Sequence, residues 1–246
     1  MNLSGNTILV TGGSAGIGLA LAKRFIERGN DVIICGRRED KLSEVKANLP
    51  GIITHACDVG EARSRGDLVK WIVKEFPELN VLVNNAGIQR RIDLKAGEPW
   101  EKTRSEIEIN LDAPIHLTQL LYQQLSKRKS AAICNVTSGL SFIPLANVPV
   151  YCATKAALHS FTLSLRWQLK ETHVRVVEII PPAVDTDLQA PGLHTFGVNV
   201  DQFADAVFEG LEAGEQEIAY GTADLASQAT REQLGTIFDR MNSGSH

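Results

Sequence analysis

Short apolar runs alternate with longer segments of helical periodicity along the whole chain. Most of these runs are rich in β-branched residues and uninterrupted by polar positions, a pattern typical of strands buried on both faces of a parallel sheet. They predict strands at Thr7–Thr11, Asp31–Cys35, Ile52–Cys57, Val81–Asn84, Ala131–Thr137, Val174–Ile180 and Glu217–Tyr220. Between them, helices are expected near 17–28, 39–48, 61–76, 100–128, 151–171, 201–213 and 224–240.

This alternation predicts a single α/β domain over residues 1–241, with about seven parallel strands and helices on both faces of the sheet. Pro181–Val200 is irregular, and stretches of that length are often functional loops, so a short substrate lid is expected near 187–200. Leu188, Leu193 and Phe196 in this stretch suit a partly apolar substrate, although internal packing would explain them equally. Residues 242–246 are expected to form a frayed tail.

Composition and charge exclude several classes of protein. Hydrophobic residues make up 43% of the 246 residues and charged residues 22%, which suits a globular protein with a sizeable core. The formal net charge of −4 gives no reason to expect a nucleic acid or membrane partner. Because there is no signal-peptide pattern and no apolar run near the ~20 residues of a spanning helix, a cytoplasmic location is expected.

The cysteines and histidines indicate neither a disulfide framework nor a metal centre. Cys35, Cys57, Cys134 and Cys152 are far apart and form no C-x-x-C pair. The first three lie in or beside apolar runs, so they are interpreted as small core residues. The six histidines are scattered without metal-ligand spacing, so no metal is expected.

A glycine-rich loop, Thr11–Gly18, follows the first predicted strand and precedes a helix. Glycines let backbone N–H groups approach a phosphate closely, and the helix offers it the positive end of its dipole. The spacing G-x-x-x-G-x-G differs from the common G-x-G-x-x-G fingerprint, and a plain turn is the alternative. The loop predicts a dinucleotide site whose cofactor-binding candidates are Gly12, Ser14, Ala15, Gly16, Ile17 and Gly18.

Two arginines follow the second predicted strand, where an NAD-binding unit is expected to carry an acidic residue for the ribose 2′-hydroxyl. That place holds Gly36, and Arg37 after it can bind a 2′-phosphate through charge-assisted hydrogen bonds. Arg38 is a second candidate, although both side chains could simply be solvated at a helix start. NADP(H) is therefore favoured as cofactor, with NAD(H) as the alternative.

Further candidates lie at the carboxyl ends of the third and fourth predicted strands, where open α/β sheets bind ligands. Small residues in Asn84–Gly87 would let a ligand lie over the sheet edge, although a plain turn would use the same residues. Asp58 can accept a hydrogen bond from an adenine amino group or cap the next segment. These candidates are Asp58, Val59, Asn84, Ala86 and Gly87.

Tyr151 and Lys155 stand four residues apart, so on a helix both side chains share one face. An ammonium group about 4 Å from a phenol is worth about 4 kcal/mol at an effective dielectric of about 20, which would lower the pKa of Tyr151 by up to about three units. Such a tyrosine can exchange a proton with an oxygen near neutral pH. Ser138, at the end of the fifth predicted strand, can donate a hydrogen bond to a carbonyl oxygen or cap a loop.

Taken in order, these motifs resemble those of the one-domain branch of the short-chain dehydrogenase/reductase family, from Thr7 to about Tyr220. The motifs are T-G-x-x-x-G-x-G, N-N-A-G, Asn110, Ser138, and Tyr151 with Lys155. The resemblance implies a doubly wound Rossmann-type fold. It also implies hydride transfer between a nicotinamide and a small-molecule carbonyl or secondary alcohol.

The same resemblance implies a role for each catalytic candidate. Tyr151 would be the acid/base, and Ser138 would hold the substrate oxygen. Lys155 would bind the nicotinamide ribose, beside Tyr151, and tune the tyrosine. Asn110 would hold a water in a proton relay, although a helix-bending residue is the alternative there.

The chain departs from the family pattern at two places. Pro182 replaces a glycine in Pro181–Thr186 and lacks its φ freedom, so a stiffer lid hinge is expected, while Pro181, Val184 and Thr186 would still contact the nicotinamide. Ala15 stands where NADP-preferring members often carry a basic residue, so the NADP preference depends on Arg37. The Pro-Pro-Ala-Val-Asp-Thr segment also resembles a subgroup of uncharacterised oxidoreductases linked to lipoteichoic acid D-alanylation operons.

Alternatives remain for function and assembly. One alternative is a protein that senses the NADP(H) redox state with little turnover, but such a protein would not need Ser138, Tyr151 and Lys155 together. A sugar-nucleotide epimerase or dehydratase of the extended branch is disfavoured, because those chains are longer and space their glycines differently. The predicted helices at 100–128 and 151–171 carry many apolar residues, which suit either a homodimer or homotetramer interface or the chain's own core. These residues are Ile107, Leu111, Ile115, Leu120, Leu121, Leu158, Phe161 and Leu165.

Overall fold

A seven-stranded parallel sheet forms the centre of the computed structural model, which describes residues 2–186, 188, 192 and 194–243. The strand order is β3-β2-β1-β4-β5-β6-β7. The strands are β1 (Thr7–Thr11), β2 (Asp31–Gly36), β3 (Ile53–Ala56), β4 (Val81–Asn84), β5 (Ala131–Val136), β6 (Val174–Ile180) and β7 (Glu217–Ala219). Each predicted strand is confirmed to within two residues at either end, because the uninterrupted apolar runs are the strands buried on both faces.

Helices cover both faces of the sheet, as predicted. They are α1 (Gly16–Glu27), α2 (Glu39–Asn48), α3 (Ala62–Glu75), α4 (Trp100–Ile107), α5 (Ala113–Leu125), α6 (Pro149–Gln168), α7 (Val200–Ala213), α8 (Thr222–Gln228) and α9 (Arg231–Asn242). Buried side chains of α1, α2 and α7 pack on one face, and those of α3, α5 and α6 pack on the other. The expected single α/β domain with a doubly wound sheet is confirmed.

Two predicted helices are each broken in the structure. The helix expected at 100–128 consists of α4, a π-helical turn at Glu108–Asp112, and α5. The helix expected at 224–240 ends at Gln228, where Ala229 is extended, and α9 starts anew with a capping box between Thr230 and Gln233. Both breaks interrupt a continuous helical periodicity.

The apolar residues expected either at a subunit interface or in the core are partly accounted for by this chain alone. Leu121, Leu158 and Leu165 are buried within the domain. The homo-oligomer therefore stays a prediction. Cys35, Cys57 and Cys134 are buried, as expected of core residues, and Cys152 is buried as well.

Within the described residues, no group of three histidine, cysteine or acidic side chains is placed to hold a metal ion. In the same part of the chain, none of the helices combines the length and apolar character that crossing a membrane requires.

The order of the strands positions the site. The chain proceeds from β1 outwards through β2 and β3, then returns to pair β4 on the other side of β1. This reversal leaves a crevice at the carboxyl ends of β1 and β4, where sheets of this kind bind ligands. The glycine loop and the Asn84–Gly87 segment both end in this crevice.

Candidate active site

The glycine loop packs directly against the segment after β4. Gly12 has φ of +66°, and a Cβ there would lie 2.9 Å from the Cα of Ala86, closer than such atoms approach. Gly16, the first residue of α1, has φ of +52°, which also favours glycine. The result is bare backbone at the N-terminus of a 12-residue helix. This arrangement fits the pyrophosphate of a dinucleotide.

Hydrogen bonds to Thr11 hold the two sides of the crevice together. Its hydroxyl accepts the backbone N–H groups of Asn85 and Ala86, each at 3.0 Å, and its carbonyl oxygen accepts the Asn85 side-chain amide at 2.9 Å. Asn84, by contrast, points into the protein, where its amide donates to Asn135 Oδ1 at 2.9 Å. The small residues after β4 therefore form the wall of the crevice, while the Asn84 side chain forms a hydrogen bond to the neighbouring strand β5.

Arg37 and Arg38 lie at the open end of the crevice, beside β2 and β3. The Arg37 side chain is 55% exposed, and its Nη1 lies 3.9 Å from Asp58 Oδ2. Arg38 is the exposed N-cap residue of α2. A Cβ on Gly36 would lie 3.3 Å from the Ser14 hydroxyl oxygen, so the glycine loop closely approaches this end. A largely exposed guanidinium beside a loop of small residues, held only by a long ion pair with Asp58, fits a 2′-phosphate.

Asp58 and Val59 are placed differently from each other. Asp58 Oδ1 accepts the backbone N–H of Gly60 at 2.9 Å, which is the capping alternative expected from the sequence. Its second oxygen faces Arg37. The Val59 side chain is buried in the core, and its carbonyl oxygen accepts a hydrogen bond from Arg65 Nη1.

Tyr151 and Lys155 lie on α6, and both are buried. Lys155 Nζ donates to the carbonyl oxygen of Val136 at 2.7 Å and lies 5.7 Å from the centre of the Tyr151 ring. Gly87 approaches this pair closely, since a Cβ there would lie 3.7 Å from Lys155 Nζ and 3.5 Å from Asn110 Oδ1. The fold thus brings the segment after β4, the π-helical turn and α6 to one place.

The expected lowering of the Tyr151 pKa is wrong for this structure. Burial raises the pKa of Tyr151 well above its usual range, and a hydrogen bond with Ser138 only partly opposes this effect. Burial also lowers the pKa of Lys155 to about 8, which weakens the positive charge that was expected to act on the phenol. Desolvation disfavours the charged form of both groups and is the largest influence on each pKa.

Ser138 follows β5 and lines the same cavity as Tyr151. Its hydroxyl accepts the backbone N–H of Leu140 at 3.1 Å, at the start of a short 3₁₀ turn over Gly139–Ser141. The capping alternative is therefore observed. It leaves the hydroxyl proton able to donate elsewhere, as substrate binding would require.

Asn110 lies in the π-helical turn and is fully buried. Its Oδ1 accepts the backbone N–H of Ile88 at 2.9 Å, and its Nδ2 donates to the Ile88 carbonyl at 2.8 Å and to Thr154 Oγ1 at 3.2 Å. The side chain thus ties the segment after β4 to α6. The bent helix expected as the alternative is observed, and the water-holding role stays a prediction.

Two buried carboxylates near the site were not singled out from the sequence. Glu178 on β6 accepts the hydroxyl of Thr137, the residue before Ser138, at 2.7 Å and lies 2.9 Å from His159 Nδ1. Glu106 on α4 accepts the backbone N–H of Arg90 at 3.2 Å, and its second oxygen is buried without a partner among the described residues. For Glu178 a signal existed, since it is an acidic residue inside an apolar run.

A cavity of about 520 Å³ opens beside these residues. It joins the catalytic candidates to several residues expected to contact the nicotinamide. These lining residues are Ile17, Ser138, Tyr151, Pro181, Val184 and Thr186.

The residues expected to form a lid are only partly placed. Leu188 packs beside Tyr151, while Phe196 lines the cavity and is largely exposed. Leu193 lies outside the described residues. The lid stays a prediction.

The sequence and the structure are both similar to those of short chain dehydrogenases and oxidoreductases. A sequence profile described as short chain dehydrogenase matches residues 6–195. The chain is 50% identical over 248 residues to the uncharacterized oxidoreductase DltE of Bacillus subtilis (strain 168), with 98% of each chain covered. A short chain dehydrogenase from Burkholderia cenocepacia J2315 in complex with NADP has a TM-score of 0.84 at 26% identity, covering 97% of this chain and 99% of that chain. A short chain dehydrogenase/reductase from Burkholderia phymatum in complex with NAD has a TM-score of 0.85 at 18% identity, covering 96% of each, and shares the fold.

Proposed function

The chain belongs to the short-chain dehydrogenase family, and we propose that it is an NADP(H)-dependent oxidoreductase acting on a carbonyl or secondary alcohol. The family resemblance expected from the motifs is thereby confirmed, and a nicotinamide cofactor is supported by the NADP- and NAD-bound structural neighbours. The observation that carries the proposal is the placement of Tyr151 and Ser138 on one wall of the cavity, with Lys155 buried behind Tyr151. A protein that only bound the cofactor would have no use for this arrangement.

The chain's own residues would divide the work as follows. The glycine loop at the start of α1 would hold the pyrophosphate, and Pro181, Val184 and Thr186 lie where the nicotinamide would reach the cavity. When bound, the reduced nicotinamide supplies a hydride. Ser138 would donate a hydrogen bond to the substrate oxygen as it gains negative charge.

Tyr151 would give its hydroxyl proton to that oxygen, completing the alcohol. Burial keeps the phenol protonated at neutral pH, which suits the reductive direction. Lys155 would hold a ribose hydroxyl of the cofactor with the donors not used by Val136, since an ammonium group has three.

The preference for NADP(H) rests on Arg37, with support from the NADP-bound neighbour. NAD(H) remains the alternative, since another neighbour of the same fold binds NAD. A cytoplasmic homodimer or homotetramer acting on a small molecule is proposed with it.

A titration of the purified protein with NADPH and NADH, read by nicotinamide fluorescence at fixed salt, tests the cofactor first. A panel of ketones and aldehydes then tests turnover with the cofactor that binds more tightly. We expect Tyr151→Phe to abolish turnover and to leave the Kd for NADPH within about threefold of wild type. Substantial activity in this variant would remove Tyr151 from its acid/base role. Tight NADPH binding with no turnover across the panel would instead support a redox-sensing protein.

A further inference from the structure

The cavity beside Tyr151 is unevenly charged. Most of its wall is apolar, and two arginines, Arg91 and Arg240, reach it from opposite parts of the sequence. Among the described residues that line it, none is acidic. An apolar cavity with only positive charges selects for negative charge in whatever fills it.

Arg91 belongs to a segment whose backbone is anchored at alternate residues. The N–H of Ile88 donates to Asn110 Oδ1 at 2.9 Å, and the N–H of Arg90 donates to Glu106 Oε1 at 3.2 Å. Two residues further, the N–H of Ile92 donates to the carbonyl oxygen of Asn147 at 3.1 Å. In an extended chain alternate residues face opposite ways, so this anchoring decides which residues face the cavity.

The residues between the anchors, Gln89 and Arg91, are the ones that line the cavity. Arg90 faces the other way, where its Nη1 donates to the Lys102 carbonyl at 2.6 Å and to Ser105 Oγ at 2.7 Å. Gln89 is a buried polar residue in the cavity wall. Arg91 is an exposed residue, but a backbone that is hydrogen-bonded on both sides of it presents it beside a second polar group.

Arg240 is also held in place, through the end of α9. The Asn242 amide donates to the Pro144 carbonyl at 3.2 Å, and Asn242 Oδ1 accepts the N–H of Ala146 at 2.7 Å. Leu145, between these two anchor points, lines the same cavity. The last turn of α9 is thus fastened to the cavity wall and carries Arg240 with it.

Neither guanidinium has a protein counter-charge in the part of the chain that the structure describes. Ion pairs there occupy other arginines, including Arg37, Arg104 and Arg166. Both arginines are exposed residues, and a guanidinium that lines a cavity without an ion pair in the protein can bind an anion through its paired N–H donors.

We propose that Arg91 and Arg240 bind an anionic group, a carboxylate or a phosphate ester, on a carbonyl substrate whose apolar part fills the cavity. The inference rests on the proposed function, because the carbonyl would lie at Ser138 and Tyr151 while the anion lies at the arginines. Guanidinium groups suit both anions because their paired N–H donors match two oxygens at once.

Three matched methyl ketones of the same medium chain length test this assignment, ending in a carboxylate, a phosphate ester or a neutral primary amide. We expect wild type to show a kcat/KM at least about tenfold higher for one charged ketone than for the amide. The higher of the two charged values identifies which anion the site takes. In Arg91→Gln and Arg240→Gln, the ratio of charged to neutral kcat/KM should fall about tenfold or more, mainly through KM.

Two matched controls keep the interpretation specific. Lys95→Gln removes a positive charge from the same connection as Arg91, and Arg231→Gln removes one from the first turn of the same helix as Arg240. Both should retain the wild-type ratio. Equal loss on charged and neutral ketones in the arginine variants would show a structural role and overturn the inference.

Failure of this inference and failure of the proposed function give different results. Equal kcat/KM on all three ketones would leave the oxidoreductase intact and remove the anion site. If no ketone is turned over, calorimetry of the three ketones against the protein with NADP⁺ still decides. Tighter binding of a charged ketone than of the amide, lost in the arginine variants, would support the site, and equal binding would overturn it.

Discussion

Lys155 Nζ donates to the carbonyl oxygen of Val136 at 2.7 Å while it lies 5.7 Å from the centre of the Tyr151 ring. Both side chains are buried, and burial acts on them in opposite directions, raising the pKa of Tyr151 and lowering the pKa of Lys155 to about 8. Each group is therefore pushed towards its neutral form. The site carries a buried lysine that disfavours folding, which is typical of residues kept for function.

Lys155→Met should therefore make the protein more stable and inactive. At pH 7 we expect the free energy of unfolding to rise by about 1–3 kcal/mol, because a buried ammonium is replaced by an apolar chain of similar length. Turnover should fall at least about a hundredfold, since Tyr151 loses its neighbouring cation. Urea unfolding and steady-state kinetics on the same preparations measure the two effects.

The pH dependence of this gain in stability shows whether the buried charge of Lys155 causes it. The pKa of Lys155 in the folded protein lies near 8, below its ordinary 10.5. The cost of burying its ammonium group is therefore full at pH below 8 and disappears as pH rises towards 10.5. The stability advantage of Lys155→Met should shrink accordingly between pH 7 and pH 10. An advantage that stays constant over this range would point to packing rather than to the buried charge.

Glu106→Gln should alter the pH profile of kcat/KM through Tyr151, since Glu106 does not line the cavity. Burial raises the pKa of Glu106 to about 7, and its negative charge in turn raises the pKa of Tyr151. Removing the charge lowers the pKa of Tyr151, so phenolate forms at lower pH and alcohol oxidation gains its base earlier. The kcat/KM for oxidation of a secondary alcohol with NADP⁺, measured from pH 6 to 10, should rise at lower pH than in wild type.

Glu108→Gln is the matched control, because it makes the same change two residues further on. Glu108 forms an ion pair with Arg104 at 2.8 Å on the surface of the helix. The pH profile of Glu108→Gln should follow that of wild type. Identical profiles for Glu106→Gln and wild type would show that the buried charge does not act on Tyr151.

Arg37→Asp should shift the cofactor preference from NADP(H) towards NAD(H). An aspartate there would repel a 2′-phosphate and could accept a hydrogen bond from a 2′-hydroxyl. Arg63→Asp makes the same charge change at a largely exposed position on α3 and should leave the preference unaltered. The ratio of kcat/KM with NADPH and NADH is the measurement, and an unchanged ratio in Arg37→Asp would refute the 2′-phosphate role.

The sequence predicted the sheet and the position of the site because both depend on local patterns. The apolar runs mark the strands, and the glycine loop and Tyr151 with Lys155 are short motifs whose spacing carries their geometry. The break before Thr230 also had a local signal, the capping-box pair of Thr230 and Gln233. The helical periodicity of the sequence continues across this break and hid the signal.

What could not be predicted depends on three-dimensional surroundings. The pKa of Tyr151 was misjudged because the neighbouring lysine is visible in the sequence, while burial of both groups is a property of the fold. The π-helical turn around Asn110 preserves the helical pattern of its sequence. The alternate anchoring of Ile88 and Arg90 requires two residues from a distant helix, and no local spacing announces it.

His159→Ala should destabilise the fold through the carboxylate that it leaves behind. His159 Nδ1 lies 2.9 Å from both oxygens of Glu178, whose side chain is wholly buried and also accepts the Thr137 hydroxyl. Removing the cation from a buried pair costs about 3 kcal/mol or more, because the remaining charge loses its compensation. The double variant His159→Ala/Glu178→Gln should recover part of that loss, and His173→Ala, at an exposed histidine, should cost little.

The same pair predicts how stability depends on pH. The hydrogen bond with Glu178 raises the pKa of His159 above its ordinary 6.5, while partial burial opposes it; nearby Glu217 raises it further and Arg166 lowers it. The stabilisation is therefore full below about pH 6.5 and is lost as pH rises through the folded pKa. Free energies of unfolding measured from pH 5.5 to 8.5 should show the cost of His159→Ala falling as pH rises. A cost that is the same at both ends would mean that the charge on His159 does not contribute to stability, and an NMR titration of its imidazole would then give an ordinary pKa.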